Sequence, residues 1–254
     1  YPLAATLPPI SMFYLETAVR DDTALLTKLA EADSNRDEVG VIHSNNDKGT
    51  RGGFSVYVPE YYDPSQSYPV IMAMHGGTGH GRYFLWTWIR EARSRGAIVI
   101  SPSSRGDTWA LMGPDIDSEN IEAMLTRVTE NWNVDMSHLL LTGMSDGGTF
   151  SYVSGLRASS PFTHLAPVSA AFHPAILDAA QDDRIKGLPI YLTHGALDWM
   201  FPIDIARNAK EALSRAGADL HYREIADLSH TYPSDENPRI MDWFLDAKNN
   251  PPNQ

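Results

Sequence analysis

Short unbroken apolar runs recur along the chain, separated by amphipathic stretches. Residues 69–74, 97–100, 139–141, 165–168 and 189–192 are nearly continuous in apolar side chains. A strand that alternates apolar and polar residues buries one face. A strand that is apolar throughout buries both, as in a parallel sheet covered by helices. The intervening segments carry helical periodicity. Ile121, Met124, Leu125, Val128 and Trp132 form one stripe, and Ile205, Ala209, Ala212, Leu213 and Ala216 another. A strand is expected over Leu220–Ile225, a short helix over Thr149–Leu156 and a closing helix over Arg239–Ala247. The opening of the chain has a different rhythm. Residues 1–10 are Pro-rich and read as an arm. Ser11 to Ala32 reads as one helix, with Leu15, Val19, Leu25, Leu26 and Leu29 mainly on one side. Val39–His43 and Phe54–Val58 are strand candidates. The cluster Asn45-Asn46-Asp47-Lys48-Gly49 between them favours a turn, so the pair is expected to form an antiparallel hairpin. Strands alternating with helices after a hairpin predict an α/β fold with a mostly parallel sheet flanked by helices. The expected organisation is an N-terminal arm and helix over 1–35 and one α/β domain over 36–254.

Composition narrows the functional classes. The 254 residues include 32 acidic and 20 basic ones, a formal net charge of −12. Such a chain is a poor ligand for a nucleic-acid backbone or an anionic membrane. Cysteine is absent, which excludes a thiol nucleophile, disulfides and thiolate metal sites. No apolar run reaches the roughly 18 residues of a membrane span, so no stable membrane insertion is expected. The chain opens at Tyr1 without an initiator Met, which reads as a removed leader or a trimmed start. A cytoplasmic address is slightly favoured and a secreted one stays open. A homodimer is compatible with the sequence.

The segment Gly143-Met144-Ser145-Asp146-Gly147 carries the clearest chemistry. It matches G-x-S-x-G, follows a buried apolar run and precedes a helical stretch. In that setting the serine sits on a tight strand-to-helix turn that thrusts its hydroxyl out of the sheet, and the glycines avoid backbone collisions. The alternative is a Gly-rich turn without chemistry. A nucleophilic serine needs a base and an orienting carboxylate, here in the order Ser, acid, His. Of the nine histidines, His221 and His230 come late. His221 falls at the start of a strand, whereas His230 lies in a loop before the last helix, where a base on a rigid scaffold belongs. Asp198 follows the run 189–192, at the C-terminal strand edge where open α/β sheets bind ligands. Asp178, Asp182 and Asp183 read as residues of a surface helix, and Asp204 as first-turn helical. The oxyanion needs two backbone amides. Asp146 supplies one, and the loop His75-Gly76-Gly77-Thr78-Gly79-His80-Gly81 supplies the other, through Gly77 or alternatively Thr78. That loop lacks the spacing of a phosphate-binding G-x-G-x-x-G motif.

These segments together resemble the α/β-hydrolase superfamily, and within it the small lidless esterases. His75–Gly81, the serine elbow and His194-Gly-x-x-Asp198 resemble the phospholipase/carboxylesterase family, which includes acyl-protein thioesterases. Asn133–Ala170, with its Gly-Met-Ser-Asp-Gly-Gly and Leu-Ala-Pro-Val-Ser runs, resembles equally the polyhydroxybutyrate depolymerase and feruloyl esterase group. The resemblance spans roughly residues 53–247. It implies an α/β-hydrolase fold with Ser145 as nucleophile, Asp198 as orienting acid, His230 as base, and Gly77 and Asp146 as oxyanion donors. Asp146 departs from the Gln or Asn that these families often carry after the serine. Such a carboxylate would raise the pKa of the base or repel anionic substrates, which bears on fine specificity.

Between Val168 and Gly187 there is room for about one helix, so no cap domain is expected and the cleft should be open. Candidate walls are Trp109 and Met112, Phe172 and His173, and Trp199, Met200 and Phe201. Such a lining suits a small-molecule ester with a small to medium acyl or aromatic group, although each aromatic could equally be core packing. No histidine spacing suits a metal, and no cofactor is expected. The expected function is a serine carboxylesterase. A thioesterase or serine peptidase would use the same triad, and a binding protein could keep the fold without the chemistry.

Overall fold

The structure is a computed structural model and describes residues 11–33, 35–178, 180, 182–246 and 248. The strands are β1 (Gly40–Ser44), β2 (Phe54–Val58), β3 (Tyr68–Met74), β4 (Ile98–Pro102), β5 (Val134–Met144), β6 (His164–Val168), β7 (Pro189–Gly195) and β8 (Asp219–Ile225). They form a single eight-stranded sheet in the order β1-β2-β4-β3-β5-β6-β7-β8. β1 pairs antiparallel with β2, giving the expected hairpin, and β2 joins the sheet through β4, also antiparallel. Every pairing from β4 through β3 to β8 is parallel.

The helices are α1 (Thr23–Glu31), α2 (Gly81–Phe84), α3 (Ile89–Arg95), α4 (Ser118–Asn131), α5 (Asp146–Gly155), α6 (Ala175–Asp178), α7 (Asp182–Ile185), α8 (Ile203–Arg215) and α9 (Asn237–Leu245). Two cores explain the unbroken apolar runs. Val70, Met72 and Met74 pack on one face of the sheet with Ile121 of α4, Phe150 of α5 and Ala209 of α8. The intervening Ile71 and Ala73 pack on the other with Ile89 of α3 and Phe244 of α9. Period-two alternation still operates, but both faces are dry, so both sets of positions are apolar.

The expected helix over residues 11–32 is corrected. Two 3-10 turns, Met12–Tyr14 and Thr17–Val19, precede α1. Asp22 starts α1 by accepting the amides of Ala24 and Leu25, an N-cap that needs an extended backbone and so interrupts any helix arriving from upstream. Leu15 still reaches a buried cluster with Leu25 and Leu29. Glu16 forms an ion pair with Arg95 at 2.7 Å, fastening this segment to α3. The stretch read as one helix around Asp178–Asp183 is two four-residue helices, α6 and α7. The arm over 1–10 lies outside the described residues.

Candidate active site

Six parallel strands end on one edge, and the candidate residues gather there. Ser145 occupies the first position after β5, with φ 56° and ψ −119°, outside the ordinary helical and extended regions. Its amide donates to the Val168 carbonyl at 3.0 Å, and α5 starts at the next residue. The flanking glycines are compelled by crowding. A Cβ on Gly143 would lie 2.5 Å from the Gly147 carbonyl carbon, and one on Gly147 would lie 2.4 Å from the His75 carbonyl oxygen. No real side chain fits there, so the turn can be this tight only with glycine at both positions. The hydroxyl-bearing residue is 7% exposed.

His230 reaches across from the β8–α9 loop. Its Nε2 is 3.0 Å from Ser145 Oγ, and its Nδ1 is 2.8 Å from Asp198 Oδ2. With the carboxylate accepting, Nδ1 carries the proton and Nε2 is free to accept from the hydroxyl. Asp198 lies in the turn after β7. Its Oδ1 accepts the amides of Met200 and Phe201 at 2.9 and 2.8 Å. Burial opposes its charge, but the Phe201 amide, His230 and the Met200 amide outweigh burial and hold the carboxyl below the usual carboxylate range. His194, near the C-terminal end of β7, takes a hydrogen-bonding role beside the site. Its Nε2 donates to the Phe201 carbonyl at 2.8 Å and lies 3.4 Å from Asp198 Oδ2. His221, in β8, stacks instead on Tyr191 of β7, ring centroids 4.3 Å apart.

Opposite His230 lies the loop after β3. The Thr78 amide, with φ 58°, donates to the Asp107 carbonyl at 2.9 Å, so it is already committed. The Gly77 position is tight in another way: a Cβ there would stand 2.8 Å from Asp146 Oδ2. That carboxylate also accepts from Thr108 Oγ1, a tie between the elbow and the loop after β4 that sequence reading missed. Both residues are ordinary in sequence, and only the fold makes them neighbours. His75 is buried and closed at both nitrogens, Nδ1 donating to the Gly76 carbonyl at 2.6 Å and Nε2 accepting the Ser104 amide at 3.1 Å. Burial pushes its pKa down to about 4.

Arg51 is the larger omission. Its guanidinium donates to the carbonyls of Gly79, Gly106 and Asp107 and to Ser104 Oγ, bridging the loops after β3 and β4. Asp117 holds the second loop from inside, accepting the amides of Arg105 and Ala110, each at 2.9 Å. Arg51 sits in a Gly-rich turn region where an arginine reads as solvated surface, so nothing local marked it.

The candidate wall residues divide. Trp109 is 2% exposed, donates from Nε1 to the His75 carbonyl and stacks on Phe150, supporting the loop after β3 from the core. Phe172 packs edge-on against Tyr152, and His173 is exposed, accepting the Ala175 amide at Nδ1. Met112, Trp199 and Met200 are exposed. Phe201 packs edge-on against the His230 ring at 5.3 Å, and Trp199 does so at 6.1 Å. Among the described residues, no helix is long and apolar enough to cross a membrane.

The sheet order, the helices on both faces and the strained turn after β5 define an α/β-hydrolase fold. Residues 115–247, just over half the chain, match the phospholipase/carboxylesterase family, and the chain belongs to that family. Among curated relatives, it is 25% identical over 198 residues to a bifunctional acetylxylan esterase/xylanase of Neocallimastix patriciarum, covering 76% of this chain and 28% of that protein. It is 29% identical over 156 residues to a probable feruloyl esterase C of Aspergillus terreus, covering 58% of this chain and 55% of the relative. The chain therefore spans less than two thirds of these relatives' length. Similar solved structures include a ferulic acid esterase, at TM-score 0.64 and 16% identity, covering 82% of this chain and 97% of that one. Another is a thermostable esterase, at TM-score 0.63 and 17% identity, covering 82% and 63%.

Proposed function

We propose that the protein is a serine carboxylic-ester hydrolase whose reacting groups are Ser145, His230 and Asp198. One observation carries the reading: a continuous hydrogen-bonded line from Asp198 Oδ2 through both ring nitrogens of His230 to a hydroxyl on a strained elbow. His230 Nε2 takes the hydroxyl proton as Ser145 Oγ bonds to the ester carbonyl carbon. The carbonyl oxygen becomes an oxyanion, held by the amides of Asp146 and Gly77. The carbon–oxygen bond to the alcohol then breaks, and the alcohol leaves with the proton from His230. Water, deprotonated by the same nitrogen, attacks the acyl-enzyme and releases the acid and the free serine. Asp198, kept ionised, holds the ring in the tautomer this cycle needs and balances the imidazolium that forms.

Small to medium acyl or aromatic carboxylic esters are the proposed substrates. The apolar residues near His230 and the names of the feruloyl and acetylxylan esterase relatives support this class. The test is a p-nitrophenyl ester panel from acetate to palmitate, run on the protein and on Ser145→Ala, with fluorophosphonate labelling of both. Turnover falling with chain length and lost in the variant is expected, together with loss of labelling. Full turnover in Ser145→Ala would refute the proposal. Thioesters with matched acyl chains decide whether oxygen or sulfur leaving groups are preferred.

A further inference from the structure

Nine large apolar side chains are exposed among the described residues, and three of them, Leu197, Trp199 and Met200, fall in the four-residue stretch that also contains Asp198. A solvent-facing turn has no packing reason to collect them. Trp199 is 73% exposed, the most of the three. Its backbone is nevertheless fixed. Asp198 Oδ1 accepts the amides of Met200 and Phe201, so the turn cannot swing away from the site. The indole stands edge-on to the His230 ring, with centroids 6.1 Å apart and planes at 69°.

The chemistry gives this position a side. The acyl carbonyl must point its oxygen toward the elbow amide, away from His230. The leaving oxygen must receive its proton from His230 Nε2, so the alcohol half of the ester lies against the histidine. Resting on the triad reading above, we propose that Trp199 is the recognition surface for the alcohol half of the substrate, selecting alcohols that present a flat face. An aryl ring offers a π face and a pyranose ring a face of C–H groups. Either covers an exposed indole better than a short alkyl alcohol does, because apolar contact scales with the area removed from water.

The test uses three esters of one acid, with ethyl, benzyl and glycosyl alcohols, on the full chain and on Trp199→Ala and Trp199→Phe. We expect Trp199→Ala to raise KM for the benzyl or the glycosyl ester about tenfold more than for the ethyl ester. Whichever of the two suffers the larger loss identifies the alcohol as aryl or sugar. Trp199→Phe should restore most of the difference for the preferred ester. Equal losses on all three esters would mean that Trp199 merely steadies the Asp198 turn, and the inference would fall. A loss that follows the acyl group when the acid is varied instead would also overturn it. Retained turnover of the ethyl ester by Trp199→Ala, with none by Ser145→Ala, separates failure of this inference from failure of the triad reading.

Discussion

The elbow after β5 and the rim formed by the turns after β4 and β7 both belong to the proposed active site but are built on opposite principles. At the elbow, backbone approaches backbone so closely that residue type is dictated. Gly143 and Gly147 each lie where a methyl group would sit within 2.6 Å of a neighbouring main-chain atom. At the rim, a few polar groups hold the chain and the side chains are left free. Asp198, Asp117 and Arg51 together satisfy amides and carbonyls of these loops, while Met112 and Trp199 stand in solvent. In the proposed reading, the elbow positions atoms for bond making, and the rim is free to vary what it presents to a ligand. A rigid scaffold carrying adjustable loops is the general solution for such sites.

The sharpest way to break the comparison is to remove reacting groups without touching the frame. Ser145→Ala should lower kcat/KM by about 10⁴-fold or more while thermal unfolding stays close to that of the parent chain. Asp198→Asn should cost about 10⁴-fold in kcat, because the amide reverses the hydrogen bond to His230 and stabilises the wrong tautomer. Elbow crowding predicts a different signature. Gly147→Ala should destabilise the fold by about 3 kcal/mol or more, since the added carbon meets carbonyls of Met74 and His75 that cannot both move. Gly113 offers the contrast, with φ 83° and open space around it; Gly113→Ala should cost only about 1 kcal/mol, from backbone strain alone. Denaturant midpoints of the two variants measure the difference.

Milder changes probe how the rim is held. Arg51→Ala removes donors from three carbonyls and a hydroxyl at once. It should lower kcat/KM about tenfold by loosening the loop that carries Gly77, with stability falling by about 2 kcal/mol. A kinetic profile identical to the parent's would show that the two loops hold themselves. His75 gives a pH signature that is absent at neutral pH. Its folded pKa, about 4, lies below its ordinary value of 6.5. Between these values the unfolded chain binds the extra proton and the folded chain does not, so stability falls as pH drops through that window. The accumulated loss is about 3 kcal/mol at pH 4. His75→Gln keeps hydrogen-bonding atoms without a titrating ring and should flatten this decline. Asp198, depressed in the folded state, adds its own loss only at lower pH, around and below the ordinary carboxylate value.

Legibility in the sequence followed the range of the interaction. The parallel strands could be read because burial on both faces leaves an unbroken apolar run, as in Val70–Met74. The elbow could be read because backbone crowding permits only glycine at fixed spacing around Ser145. The segment 11–33 could not, because its apolar stripe fits one helix and the Asp22 cap and the Glu16–Arg95 pair that break it depend on a local choice and a distant partner. Arg51 and Thr108 were missed for the same reason, their partners being brought in from other loops.

By itself, the sequence determined the class of fold, the mostly parallel sheet, the nucleophile turn and the order of its candidate partners. These rest on periodicity and on steric limits that act within a few residues. Only the tertiary structure decided that β2 enters the sheet beside β4, that the Thr78 amide is committed to Asp107, and that Trp109 is core while Trp199 is surface. An aromatic residue has the same apolar identity in either place. Whether it fills the interior or waits for a ligand is settled by which loops close over it, and that closure depends on hydrogen bonds between residues far apart in the chain.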